Sequence, residues 1–245
     1  MKEQKSEQEN KLKQEWEEWS EKCSECRNER KLSKYEKDKI DGNENFCPAY
    51  PGCGDYQKEV DIFFLTKNHG GGLVEGRFSE LTDFDDFNGL EKEKLKHYMK
   101  NDPYDNFHSF LVRRLIEKIK LKDKSKTWYL TDIWKCFILD RTDEKKYPEI
   151  TKKNIKDNMN ESFKNCKEYL IKEIEILKPK VIVLFGGKVQ DIYHGEIEDY
   201  LSAPKPIPID SIFPGTRTAD KWFGKSKKNP NLSHEDWLIE EILKI

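Results

Sequence analysis

The sequence predicts an α/β fold: a four-stranded parallel sheet with helices on both faces. Three observations predict it. Four short apolar runs, at 60–65, 128–133, 181–186 and 207–212, have the length and β-branched or aromatic content of buried strands. Helical apolar patterns precede the second and third runs. Strands that alternate with helices need long crossovers, which make the sheet parallel and cover both faces.

In chain order, residues 3–30 read as a charged helix carrying Trp16 and Trp19, with Cys23 and Cys26 near its end. Residues 32–55 are charged and turn-forming, an irregular loop that contains Cys47 and Cys53. The first strand follows, and then residues 73–105, rich in Asp, Glu, Lys and Phe, which fit an insertion. Phe110, Leu111, Leu115, Ile116 and Ile119 make one amphipathic stretch before the second strand. Phe163, Tyr169, Leu170, Glu173, Ile174 and Leu177 make another, stopped by Pro179 before the third strand. Pro206 and Pro208 suit an edge for the fourth strand. Residues 234–245 form a last helix with Ser233 placed to cap it. The expectation is one domain over 1–245, with extra segments near 31–58, 73–105 and 142–160.

Of the 245 residues 35% are hydrophobic and 38% charged, which calls for a compact core under a heavily charged surface. The net charge of -2 and pI of about 6.3 exclude a whole-molecule basic field, the common footprint of nucleic-acid binding. Lysine-rich segments at 118–126, 145–156 and 221–228 leave room for local patches, or are solvated faces. No run approaches the ~18 apolar residues of a membrane span. A cytoplasmic, monomeric protein is expected.

Six cysteines in such a chain point to metal binding or catalysis rather than to a disulfide framework. Cys23 and Cys26 form a C-x-x-C pair, Cys136 follows the second strand and Cys166 lies in the helix before the third. Thiolates select zinc, copper(I) or iron–sulfur, and C-x-x-C taken alone suggests zinc. Cys47 and Cys53 are a second half-site, spare ligands or ordinary loop residues.

Ligands of open α/β sheets sit beyond the carboxyl ends of the strands, which directs attention to 66–72, 132–141, 186–188 and 213–217. The stretch Tyr129-Leu130-Thr131-Asp132-Ile133-Trp134-Lys135-Cys136 resembles the Tyr-x-x-Asn-x-x-Lys-Cys motif of the family-4 iron–sulfur uracil-DNA glycosylases. Cys166-Lys167-Glu168-Tyr169-Leu170, with 179–186, resembles that family's Cys-x-x-x-Leu helix and following strand. The N-terminal pair, followed by Arg27 and Arg30, matches too. The resemblance implies a uracil-DNA glycosylase-like fold and a structural [4Fe–4S] cluster on Cys23, Cys26, Cys136 and Cys166, where zinc is the alternative.

It also implies a base pocket, and there the chain departs from the family. The family's Gly-Glu-x-Pro-Gly loop aligns with Thr66-Lys67-Asn68-His69-Gly70, followed by Gly71. The glycines remain, Lys67 stands in place of the acid, and His69 is a candidate for proton transfer or a water-facing loop residue. Asp132 stands where the family has the Asn that reads uracil. An ionised Asp only accepts hydrogen bonds, so it suits a base edge that donates, as cytosine does through its amino group. Pairing with a lysine is its other reading.

Phe78 and Phe107 are the candidates to stack the base, Arg141 to follow the Lys-Cys motif. Phe213-Pro214-Gly215-Thr216-Arg217 replaces the family's His-Pro-Ser, so Phe213 removes a hydrogen-bond donor while Arg217 offers a charge. Loss of one preorganised donor costs about 10²–10³ in rate. Two functions follow. One is a diverged DNA glycosylase using His69, Asp132 and Arg217 on a flipped-out, modified base. The other is an inactive module that binds DNA, single- or double-stranded, or a nucleotide. A zinc-stabilised structural protein is a third, more distant reading.

Overall fold

The computed structural model of the chain describes residues 7–29, 32, 35, 53–55, 59–68, 107–135, 148–213 and 218–245. Among them the sheet has five strands: β1 (Cys53–Gly54), β2 (Ile62–Asn68), β3 (Trp128–Trp134), β4 (Val181–Phe185) and β5 (Ile207–Ser211). Their spatial order is β1-β3-β2-β4-β5, and β2 to β5 pair in parallel, as predicted. β5 takes the edge that its prolines require; Ile207 there is 52% exposed.

β1 corrects the sequence reading, which had only an irregular loop at 32–55. Two residues of it pair antiparallel with β3. Gly54 makes this possible: its φ is +146°, and a Cβ there would sit 2.3 Å from the Trp128 carbonyl oxygen. The Asp55 N–H then donates to that same oxygen at 2.7 Å.

Alternation along the strands divides the core. Phe63 and Leu65 of β2, Tyr129 and Ile133 of β3, and Ile182 and Leu184 of β4 face helices α1 (Glu7–Glu29) and α3 (Lys152–Leu177). Ile62, Phe64, Val181, Val183 and Phe185 face α2 (Phe107–Lys122) and the C-terminal α6 (His234–Leu243). Short helices α4 (Gly187–Ile192) and α5 (Ala219–Trp222) follow β4 and β5. The two-faced cover is the predicted architecture.

α3 begins earlier than its apolar pattern suggests. Thr151 Oγ1 accepts from the Asn154 N–H at 3.2 Å, and Asn154 Oδ1 accepts from the Thr151 N–H at 3.1 Å. This reciprocal cap starts the helix at Lys152, so 152–160 is helix where the sequence suggested an insertion. At its other end Lys178, with φ 46°, turns the chain into Pro179. Ser233 caps α6 as expected, accepting from the Asp236 N–H at 3.0 Å.

α1 lies antiparallel along α3. Among its described side chains Leu12, Trp19 and Cys26 are buried, spaced by seven residues and therefore on one stripe. The Trp19 indole N–H donates to the Asn165 carbonyl at 3.1 Å, its ring lies 5.1 Å from that of Tyr169, and Lys172 pairs with Glu15.

Candidate functional site

At the carboxyl ends of the central strands, Thr66 of β2 stands opposite Asp132 of β3. Both are buried, 3% and 5% exposed, and the Thr66 hydroxyl donates to an Asp132 carboxylate oxygen. The strand continues past this pair to Asn68, which stands opposite Trp134. Lys67 and Asn68 thus belong to β2, where the sequence reading had a loop. The cause is the ladder with β3, which is longer than the apolar run.

Behind Asp132 lies a buried polar network. Tyr129 donates to Glu173 Oε1 at 2.6 Å and Thr131 to the same oxygen at 3.3 Å. Lys135 Nζ donates to Glu173 Oε2 and to the Thr131 hydroxyl, and lies 5.2 Å from the Tyr169 ring centroid. Lys135 and Glu173 are both 0% exposed. Burial and the Glu173 carboxylate push the Tyr169 phenol well above its ordinary range. The network ties the residue before Cys136 to the helix that carries Cys166.

A cavity of about 630 Å³ opens at the carboxyl ends of β4 and β5. Gly186, with φ 92°, lets the chain leave β4 under Phe213; a Cβ there would sit 3.1 Å from the Phe213 Cβ. Deeper in, Ser211 Oγ and His234 Nε2 are 2.9 Å apart, and the His234 ring lies 5.5 Å from Trp222 and 5.1 Å from Trp237. The Gln190 amide donates to the Ser211 carbonyl at 2.7 Å. Four lysines, Lys221, Lys225, Lys227 and Lys228, stand around the mouth. A cavity of about 680 Å³, lined by Lys178, Pro179 and Pro206, lies at the opposite strand ends. Ligands of open α/β sheets occupy the carboxyl ends, so the first is the candidate.

Burial pushes the His234 imidazole down to about 4 from 6.5. Between these values the unfolded chain binds a proton that the folded chain does not, so stability falls as pH drops from 6.5 towards 4. His234→Asn should flatten that part of a melting-temperature profile. An equally steep profile in the variant would assign the loss to other groups.

Of the residues singled out in the sequence, the structure brings Asp132, Lys67 and Phe213 to the carboxyl end of the sheet. Asp132 meets Thr66, and Phe213 packs over Gly186 as part of the second core. Cys26 and Cys166 are buried, Cys166 within the core shared with Trp19 and Tyr169. Cys23, Asn68 and Phe107 lie on described backbone, in α1, at the end of β2 and at the start of α2, but their side chains lie outside the described residues. His69, Gly70, Gly71, Phe78, Cys47, Cys136, Arg141 and Arg217 lie outside them altogether.

Sequence reasoning missed the Ser211–His234 pair and the Lys135–Glu173 pair. A signal existed for the second: Glu173 is a charge on the apolar stripe of α3, between Leu170 and Leu177. His234 offered none beyond its place after a capping serine.

A model of the uracil DNA glycosylase superfamily matches residues 87–239, more than half of the chain. No curated protein matches it. No helix among the described residues is long and apolar enough to cross a membrane.

Proposed function

The chain belongs to the uracil DNA glycosylase superfamily, and we propose that it is a diverged iron–sulfur member that hydrolyses the N-glycosidic bond of a flipped-out, modified base in DNA. The observation that carries the reading of the base is the buried Thr66–Asp132 pair at the centre of the sheet's carboxyl end. With its hydroxyl turned toward the carboxylate, Thr66 holds Asp132 in one orientation. A carboxylate so held accepts hydrogen bonds and repels the carbonyl oxygen of a uracil edge. A base edge with an amino donor, such as that of a modified cytosine, is its complement.

Hydrolysis also needs stabilisation of the departing base and of the oxocarbenium-like sugar. Phe213 supplies no donor, so His69 and Arg217 are proposed for these tasks. Cys23, Cys26, Cys136 and Cys166 would hold the [4Fe–4S] cluster, which supplies a structural crosslink. Two features support that fit: Cys26 shares a buried stripe with Trp19, and Trp134, two residues before Cys136, donates its indole N–H to Met159 of α3 at 3.0 Å. Thiolates drawn from α1, from α3 and from Cys136, two residues beyond β3 in sequence, would then join elements that already pack together.

Asp132→Asn tests the base reading. The amide offers a donor, so the variant should gain cleavage of uracil-containing DNA, read as strand breakage in alkali, and lose it on amino-bearing bases. A variant with an unchanged base profile would remove Asp132 from base recognition. Specific binding without breakage at any base would instead favour the inactive DNA-binding module, the reading that the loss of the histidine donor at Phe213 also supports.

A further inference from the structure

We propose that the lysine comb formed by Lys221, Lys225, Lys227 and Lys228 is a phosphate clamp for the DNA strand whose base enters the site. The inference rests on the DNA-directed reading above and assigns the surface that holds the strand's backbone. All four side chains are exposed at the mouth of the cavity, and among the described residues none of them is ion-paired. Among the described residues unpaired lysines stand elsewhere too, Lys122, Lys124 and Lys126 among them, but these four share the mouth of one cavity at the carboxyl end of the sheet. Others are neutralised. Lys118, Lys120, Lys135, Lys167, Lys172, Lys180, Lys205 and Lys244 each have a carboxylate within 4 Å. Asp210, the carboxylate that lines the same cavity, is 3.1 Å from His194. In a molecule of net charge -2, a tight group of unneutralised cations is a local excess that costs stability through self-repulsion. A polyanion relieves it.

The comb is also held in shape. Lys225 bridges to Ser233, the Ser226 N–H donates to the Leu232 carbonyl at 2.8 Å, and the Lys228 N–H donates to Ser226 Oγ at 3.1 Å. Gly224 closes the turn before it, where a Cβ would meet the Asp220 carbonyl at 2.4 Å. Backbone pinned in this way lowers the ordering cost of binding.

The test measures affinity of the full chain for a fluorescent single-stranded oligonucleotide of ordinary bases, by anisotropy, between about 50 and 200 mM salt. Lys225→Gln/Lys227→Gln/Lys228→Gln should lower the slope of log affinity against log salt by about 2, at ~0.7 per lost phosphate contact. Its melting temperature should stay level or rise, because no ion pair is lost. Lys122→Gln/Lys124→Gln/Lys126→Gln, at the amino end of β3, removes the same charge and should leave the slope unchanged. Equal losses in both variants, no loss in the first, or no binding by the unmodified chain would each overturn the clamp. A slope that falls as expected in a protein that excises no base would keep the clamp and reject the glycosylase reading.

Discussion

Lys135→Ala should destabilise the fold by about 3–5 kcal/mol, the cost of leaving a buried charge without its partner. Glu173 would keep Tyr129 and Thr131 as donors but lose the ammonium group, in a place with no access to water. The same carboxylate sits on the stripe by which α3 packs on the sheet, so the loss falls on the main helix–sheet contact. Urea unfolding reads the effect as a lower midpoint at unchanged slope. Lys135→Met combined with Glu173→Gln should recover most of it, because the glutamine oxygen still accepts from Tyr129 and no charge remains buried. A single variant within about 0.5 kcal/mol of the parent, the scatter of ordinary surface substitutions, would show that the pair is not a closed buried pair.

Cys166→Ser should abolish iron binding and free α1 from the sheet. A parent chain purified without oxygen should be brown and carry about four irons, bound by cysteine thiolates. α1 has 23 residues but buries only Leu12, Trp19 and Cys26 among its described side chains. Isolated helices are marginal in water, and ordering each residue costs about 1–2 kcal/mol in backbone entropy. A covalent clamp that ties the helix down offsets part of that cost, so its loss should have a large effect. Limited proteolysis should cut the variant within α1 while leaving the parent intact. A colourless parent that carries zinc would replace the cluster by a zinc site. A Cys166→Ser chain that keeps its iron would remove Cys166 from the ligand set.

The sheet was legible because its strands are the few apolar runs in a chain that is 38% charged. Their order and the helices between them specified parallel pairing on both faces. β1 was not legible, since two residues, Cys53 and Gly54, have no period; what pairs them is a backbone approach that only a glycine permits. The start of α3 was hidden because its first turn, Lys152 to Asn154, is polar, although the sequence contains the Thr151-x-x-Asn154 cap. In the site, Asp132 was found through its place in a motif, and its partner Thr66 came from strand register, which no sequence window contains. Ser211 and His234 are 23 residues apart and meet because α6 returns over the end of β5. Contacts of that kind follow from tertiary packing, and local patterning is silent about them.

Release of free base reports directly on what enters the site. The chain should be incubated with duplex and single-stranded DNAs, each carrying one uracil, hypoxanthine or modified cytosine, and the freed base separated by chromatography. A base whose edge donates to Asp132 should be released, with uracil left in place. Release of uracil alone, or of no base under conditions where the DNA is bound, would contradict it.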